Sequence, residues 1–84
     1  MSKEAVALAN EYIMLAGFSS PADKDSYFEF DSNLKTIFHT TLLEQQDDVT
    51  LAIIALIDTD FGVTADPNPE VKQRWLPLGL AKLY

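Results

Sequence analysis

Residues 47–62 read Asp47-Asp48-Val49-Thr50-Leu51-Ala52-Ile53-Ile54-Ala55-Leu56-Ile57-Asp58-Thr59-Asp60-Phe61-Gly62, a nearly unbroken apolar run with acids at both ends. Val, Ile and Thr favour strands, and continuous apolarity suits a buried parallel strand. Length, an acid pair placed to cap a first turn and a terminal glycine favour a helix. A helix that is apolar round most of its circumference needs cover on several sides. The stretch therefore predicts the central helix of a small bundle.

Upstream, Ser2 stands as an N-cap to residues 3–16, which are good helix formers, and Gly17 follows as a stop. Val6, Ala9, Ile13 and Ala16 form one stripe, widened by Leu8, Tyr12 and Leu15. Residues 18–26 are rich in turn formers and hold one helical turn, begun by the capping pattern Ser20-Pro21-Ala22-Asp23. Tyr27-Phe28-Glu29-Phe30-Asp31 alternates like a strand without a partner strand, which predicts an extended aromatic linker packed on the bundle. Asp31 or Ser32 caps a second helix over 33–46, with Leu34, Ile37, Phe38, Thr41 and Leu42 inward and Lys35, His39, Thr40 and Glu44 outward. Asp47 and Asp48 cap the central helix, where negative charge suits the N-terminus.

Downstream, Asn68 and Pro69 open a segment that Pro77 interrupts, and residues 78–84 make a last apolar turn anchored by Leu80, Leu83 and Tyr84. The expected fold is all-α: a small four-helix bundle with one extra helical turn, in a single domain over 1–84. Its expected core is Val6, Leu8, Ile13, Leu34, Ile37, Phe38, Leu42, Ile53, Ile54, Leu56, Ile57, Phe61 and Leu80.

The chain has no cysteine, which excludes disulfides, thiolate catalysis and thiolate metal sites. The run Val49 to Ile57 is far shorter than the ~20 residues needed to cross a bilayer. Acidic Glu4 and Glu11 do not fit a signal peptide. A soluble cytoplasmic protein without membrane contact is expected. The net charge is -7. Between Thr36 and Val71 lie the acids Glu44, Asp47, Asp48, Asp58, Asp60, Asp66 and Glu70, with no Lys or Arg, while the flanks balance. Such a surface repels phosphate backbones and anionic membranes and steers a basic partner, or else it serves only solubility.

Asp58 and Asp60 fall in the last turn of the central helix, where acids oppose the helix dipole by about 0.3–1 kcal/mol each. Together with Glu44, Asp47 and Asp48 they form the predicted partner-binding set. His39, the only histidine, is expected on a solvent face, and no catalytic or zinc constellation accompanies it. Asp58-Thr59-Asp60-Phe61-Gly62 has the alternating oxygens of a calcium loop, but its glycine comes one position early and Pro69 occupies the place of the closing acid. No metal site is expected. Tyr27, Phe28 and Phe30 beside Phe18, and Trp75 with Tyr84, are docking aromatics or core, and core is the expectation. Stacking on nucleic acid needs interleaved bases, and only Lys24 is near. Self-association is a further expectation, because so apolar a helix needs more cover than a small bundle supplies.

From Leu43 onward the chain resembles the later part of acyl carrier proteins. The residues are Leu43 and Asp47, then Ile53, Ala55-Leu56-Ile57, Asp60-Phe61-Gly62-Val63, an acidic loop with proline, and Leu80 with Leu83. The resemblance implies a carrier-like four-helix fold. In that family a serine in an Asp-Ser-Leu motif carries phosphopantetheine. The matching place reads Gln46-Asp47-Asp48, so a carrier would have to use Ser32 of Asp31-Ser32-Asn33-Leu34. Three functions follow as expectations: a non-enzymatic acidic interaction module, a phosphopantetheine-dependent carrier using Ser32, or an inhibitor or immunity-type protein that blocks a basic or nucleic-acid-binding enzyme.

Overall fold

The computed structural model describes residues 3–84. The predicted cap Ser2 lies outside the described residues. Four α-helices follow one another: α1 (Lys3–Leu15), α2 (Ser32–Glu44), α3 (Leu51–Phe61) and α4 (Pro69–Ala81). Short 3₁₀ segments occupy Lys24–Glu29, Gln46–Asp48 and Val63–Ala65, and the described residues contain no strand. The all-α expectation holds.

Local chemistry sets most helix ends. Asp31 caps α2 by accepting from the Leu34 amide at 2.8 Å, and Asn68 caps α4 by accepting from the Glu70 amide at 3.0 Å. The cap of α3 is Thr50, which accepts from the Ile53 amide at 3.3 Å, and not Asp47 or Asp48. Those two acids belong to the preceding 3₁₀ turn. At its other end α3 stops on Gly62, left-handed at φ 64°, whose amide reaches the Asp58 carbonyl at 2.7 Å.

Gly17 is required twice over. Its φ is 84°, and a Cβ there would lie 2.7 Å from the Ala52 Cβ, so the α1–α2 loop can rest on α3 only through a bare backbone.

Two segments depart from expectation. Residues 27–31 are not an extended linker, because Lys24–Glu29 is a 3₁₀ helix with the Phe30 amide bonded to the Tyr27 carbonyl at 3.1 Å. Three residues per turn put Tyr27 and Phe30 on one side, and both are buried while Phe28 is exposed. Pro77 does not end the last helix, which continues to Ala81. The carbonyl that Pro77 cannot serve belongs to Gln73, and both residues are exposed, so water can take the missing bond.

The centre of the bundle is α2, against which α1 and α4 both pack, and not the apolar run. On α1 the buried residues are Ala5, Leu8, Ala9 and Tyr12, so the buried face keeps Ala9 of the expected stripe and centres on its Leu8 and Tyr12 edge, while Val6 and Ile13 are only half-buried. Ile53, Ile54 and Ile57 are buried on α3, whereas Leu51, Ala52 and Thr59 are exposed. Of the expected core, Leu8, Phe38, Leu42, Ile53, Ile54 and Ile57 are fully buried. Leu80 is 75% exposed, and Leu78 and Trp75 take its place, since the unbroken α4 sets a register that a break at Pro77 would have reset. The interior is aromatic: the Tyr27 and Phe61 rings stack at 4.0 Å, and Tyr12, Phe28 and Phe38 meet Phe61 edge-on. No described helix is long and apolar enough to cross a membrane.

Candidate interaction surface

The five predicted acids divide into two groups, Asp58 and Asp60 in the last turn of α3, and Glu44, Asp47 and Asp48 on the connection that precedes its first turn. Asp58 and Asp60, at the C-terminal end, are engaged inside the fold. Asp60 Oδ2 accepts from the Tyr12 hydroxyl at 2.6 Å and from Ser20 Oγ at 2.7 Å, tying α1 and its following loop to α3. Burial raises the Tyr12 pKa, and the bond to Asp60 raises it further. Asp58 accepts from the Thr64 amide and the Thr64 hydroxyl, both at 2.8 Å, and from the Tyr84 hydroxyl. Thr64 Oγ1 in turn accepts from Trp75 Nε1 at 3.1 Å, so α3, the 3₁₀ turn and α4 share one network. Burial pushes the Asp58 carboxyl up, but the bonds from Thr64, Tyr84 and the Val63 backbone outweigh it and hold the group below its ordinary value. The dipole cost read from the sequence is thus offset by tertiary donors, and the fold itself accounts for both acids. The alternating oxygens of residues 58–62 point at these donors, and no group of three or more metal-ligating side chains converges among the described residues.

Glu44, Asp47 and Asp48 are different. All three are exposed at the end of α2 and in the turn before α3. Among the described residues none of their carboxylates accepts a hydrogen bond or joins an ion pair, the pairs there being Lys24–Asp25 and Arg74–Glu70. Gln45 Nε2 donates to Asn10 Oδ1 at 2.7 Å, which draws this acidic end towards α1. Gly17 rests on Ala52, so Phe18 and Leu51, each one residue from that contact, come to the same end of the molecule. Phe18 is 91% exposed, Met14 78% and Leu51 47%. The three uncommitted carboxylates and Leu51 thus lie along the connection from α2 into α3, beside which the Gly17–Ala52 contact sets the start of the α1–α2 loop with its exposed Phe18. Sequence reasoning placed the acids but treated Phe18 as core. The available signal was its position directly after a glycine that ends a helix, where a side chain leaves the helical face.

Ser32 is exposed at the first position of α2, with its Oγ accepting from Asn68 Nδ2 at 2.9 Å. His39 is not on a solvent face. It is 1% exposed, between Phe38 and Trp75, with Nε2 2.9 Å from the Tyr27 hydroxyl. That hydroxyl has no other partner among the described residues, so the favourable arrangement has Tyr27 donating to Nε2 and the ring proton on Nδ1. Nδ1 is buried and unpartnered. Burial pushes the His39 pKa down to about 3, opposed by the charge of Asp66 and helped by those of Arg74 and Lys35, so the ring is neutral at pH 7.

Comparison with protein-family models, curated proteins and solved structures finds no match.

Proposed function

We propose that this protein is a cytoplasmic, non-enzymatic interaction module that binds a protein partner whose surface is basic and partly apolar. Its binding surface is Glu44, Asp47 and Asp48 together with Met14, Phe18 and Leu51. The observation that carries the reading is the contrast between the two acid groups. Asp58 and Asp60 are consumed by internal hydrogen bonds, while Glu44, Asp47 and Asp48 are exposed, without a bond or ion pair among the described residues, on the connection that leads into the exposed Leu51. Apolar anchors supply affinity, and flanking charge supplies orientation and rate.

Affinity capture from a host extract tests the proposal. Wild-type protein should retain a partner that elutes with salt, and Phe18→Ser or the pair Asp47→Asn with Asp48→Asn should lose it. Retention of the same partner by both variants would refute the assigned surface. If the retained partner is a nuclease or another nucleic-acid-binding enzyme, the module is an inhibitor of the immunity type.

A second reading rests on Ser32, whose exposed hydroxyl begins α2 and is the serine that the carrier resemblance points to. In that reading the protein is a carrier. A broad-specificity transferase with coenzyme A would then add one phosphopantetheine to the wild type and none to Ser32→Ala, and an unchanged wild-type mass sinks the idea.

A further inference from the structure

The molecule has a second exposed apolar region, and its charge is opposite to the first. Leu76 and Leu80 lie four residues apart on the outer face of α4, 52% and 75% exposed, followed by Leu83 at 89% and Tyr84 at 49%. Lys72 precedes them by one turn and Lys82 closes the helix, neither in an ion pair among the described residues. Arg74 is occupied by Thr40 Oγ1 at 2.7 Å and by Glu70. Residues 69–82 carry three bases against one acid, in a chain whose net charge is -7. This face also holds a cleft of about 100 Å³ between Trp75, Leu76, Gly79, Leu80, Tyr84 and Thr64. Gly79 contributes no side chain to fill it.

We propose that the partner of the acidic surface includes a second copy of this chain, docked by its α4 face, with Phe18 of one copy seated in the cleft beside Trp75 and Tyr84 of the other. The inference rests on the interaction surface proposed above and names an occupant for it. Shape supports it, because one copy carries a protruding aromatic and the other a cleft of side-chain size edged by two aromatic rings. Charge supports it too. Glu44, Asp47 and Asp48 would face Lys72 and Lys82, the one carboxylate bordering the cleft, Asp58, being already bonded to Thr64 and Tyr84, whereas pairing two acidic ends would set acids against acids. The area is sufficient for a weak complex. Each apolar region exposes on the order of 400 Å², within the ~300–600 Å² of the largest apolar patch on a typical monomer, which is often functional. With polar rims the total approaches the ~1,200 Å² at the lower edge of specific interfaces. A knob that fits a cleft elsewhere on the same chain makes a head-to-tail contact, not a two-fold one.

Sedimentation velocity from about 10 µM to about 1 mM, the range of weak complexes, reads this directly. The wild type should gain mass with concentration, and high salt should weaken association about tenfold through screening. Phe18→Asp removes the knob and Leu80→Asp spoils the cleft. Both positions are exposed, and unchanged circular dichroism confirms folding. Each variant alone should be monomeric, and an equimolar mixture should form a dimer of one copy of each and nothing larger, because one intact knob meets one intact cleft. A mixture that stays monomeric overturns the proposal, as does a Phe18→Asp variant that still dimerises. A wild type that is monomeric throughout, yet still captures a Phe18-dependent partner, overturns self-association alone and leaves the interaction module standing.

Discussion

His39 should make the protein acid-sensitive by an amount that the structure sets. The ring is buried and neutral, with a pKa of about 3 against an ordinary 6.5 in the unfolded chain. Above pH 6.5 neither state holds the proton and the residue contributes no pH dependence. As pH falls below 6.5 the unfolded chain takes up a proton that the native state refuses, so stability is lost, and the loss levels off near pH 3. Each unit of difference is worth about 1.36 kcal/mol, which gives about 2.5 kcal/mol lost between pH 7 and pH 4.5 and on the order of 5 kcal/mol once the loss is complete. That is a large share of the stability of a domain this size.

Carboxylates also titrate in this range and relieve the repulsion of an acidic chain, so the His39 contribution must be isolated by difference. His39→Gln keeps an acceptor for the Tyr27 hydroxyl and removes the titrating ring. Urea unfolding can be followed by the fluorescence of Trp75, the single tryptophan, whose ring centroid lies 5.6 Å from that of His39. Between pH 7 and 4.5 the wild-type midpoint should fall by about 2.5 M more than that of the variant, taking about 1 kcal/mol per M for a small domain. A difference under about 0.5 kcal/mol, or a His39 proton resonance titrating above pH 5.5, would refute the reasoning.

The two left-handed glycines should respond unequally to alanine. Gly17→Ala meets both backbone strain and the Ala52 Cβ and should cost more than 2 kcal/mol, whereas Gly62→Ala, with open space around it, should cost about 1 kcal/mol by thermal unfolding. Asp60→Ala leaves the buried Tyr12 hydroxyl without its acceptor and should cost about 2 kcal/mol, while Asp48→Ala should stay within about 0.5 kcal/mol; equal costs would undo the division of the acids into internal and free groups. Thr50→Ala should lose about 1 kcal/mol with the α3 cap, and Asp47→Ala should not, because Thr50 and not Asp47 holds the Ile53 amide.

Much of the secondary structure was legible in the sequence because caps, prolines and glycines act within one turn of their own position. Asp31, Asn68, Pro69 and Gly62 mark ends where they were expected to, and α1 ends one residue before the expected Ala16, which is itself left-handed at φ 55°. The errors lie where a distant group decides. Asp58 and Asp60 look unfavourable beside a helix C-terminus until Tyr12 and Ser20, 48 and 40 residues from Asp60, supply donors. His39 looks like a surface residue until Tyr27 caps its ring. Pro77 looks like a stop because local rules count its missing bond but not the water available to an exposed Gln73.

The candidate surface divides in the same way. Glu44, Asp47 and Asp48 could be read as charge, but whether they were free to act depended on what else came near them. By itself the sequence determined an all-α chain, the helix ends that Asp31, Asn68 and Gly62 mark, its acidic balance and the absence of thiol chemistry, all of which follow from composition and from interactions a few residues long. Only the tertiary structure decided that α2 and not the apolar run stands at the centre, and that Phe18 projects into solvent. It also decided which acids are spent on the fold, since burial and hydrogen-bond partnership depend on segments tens of residues apart meeting in space.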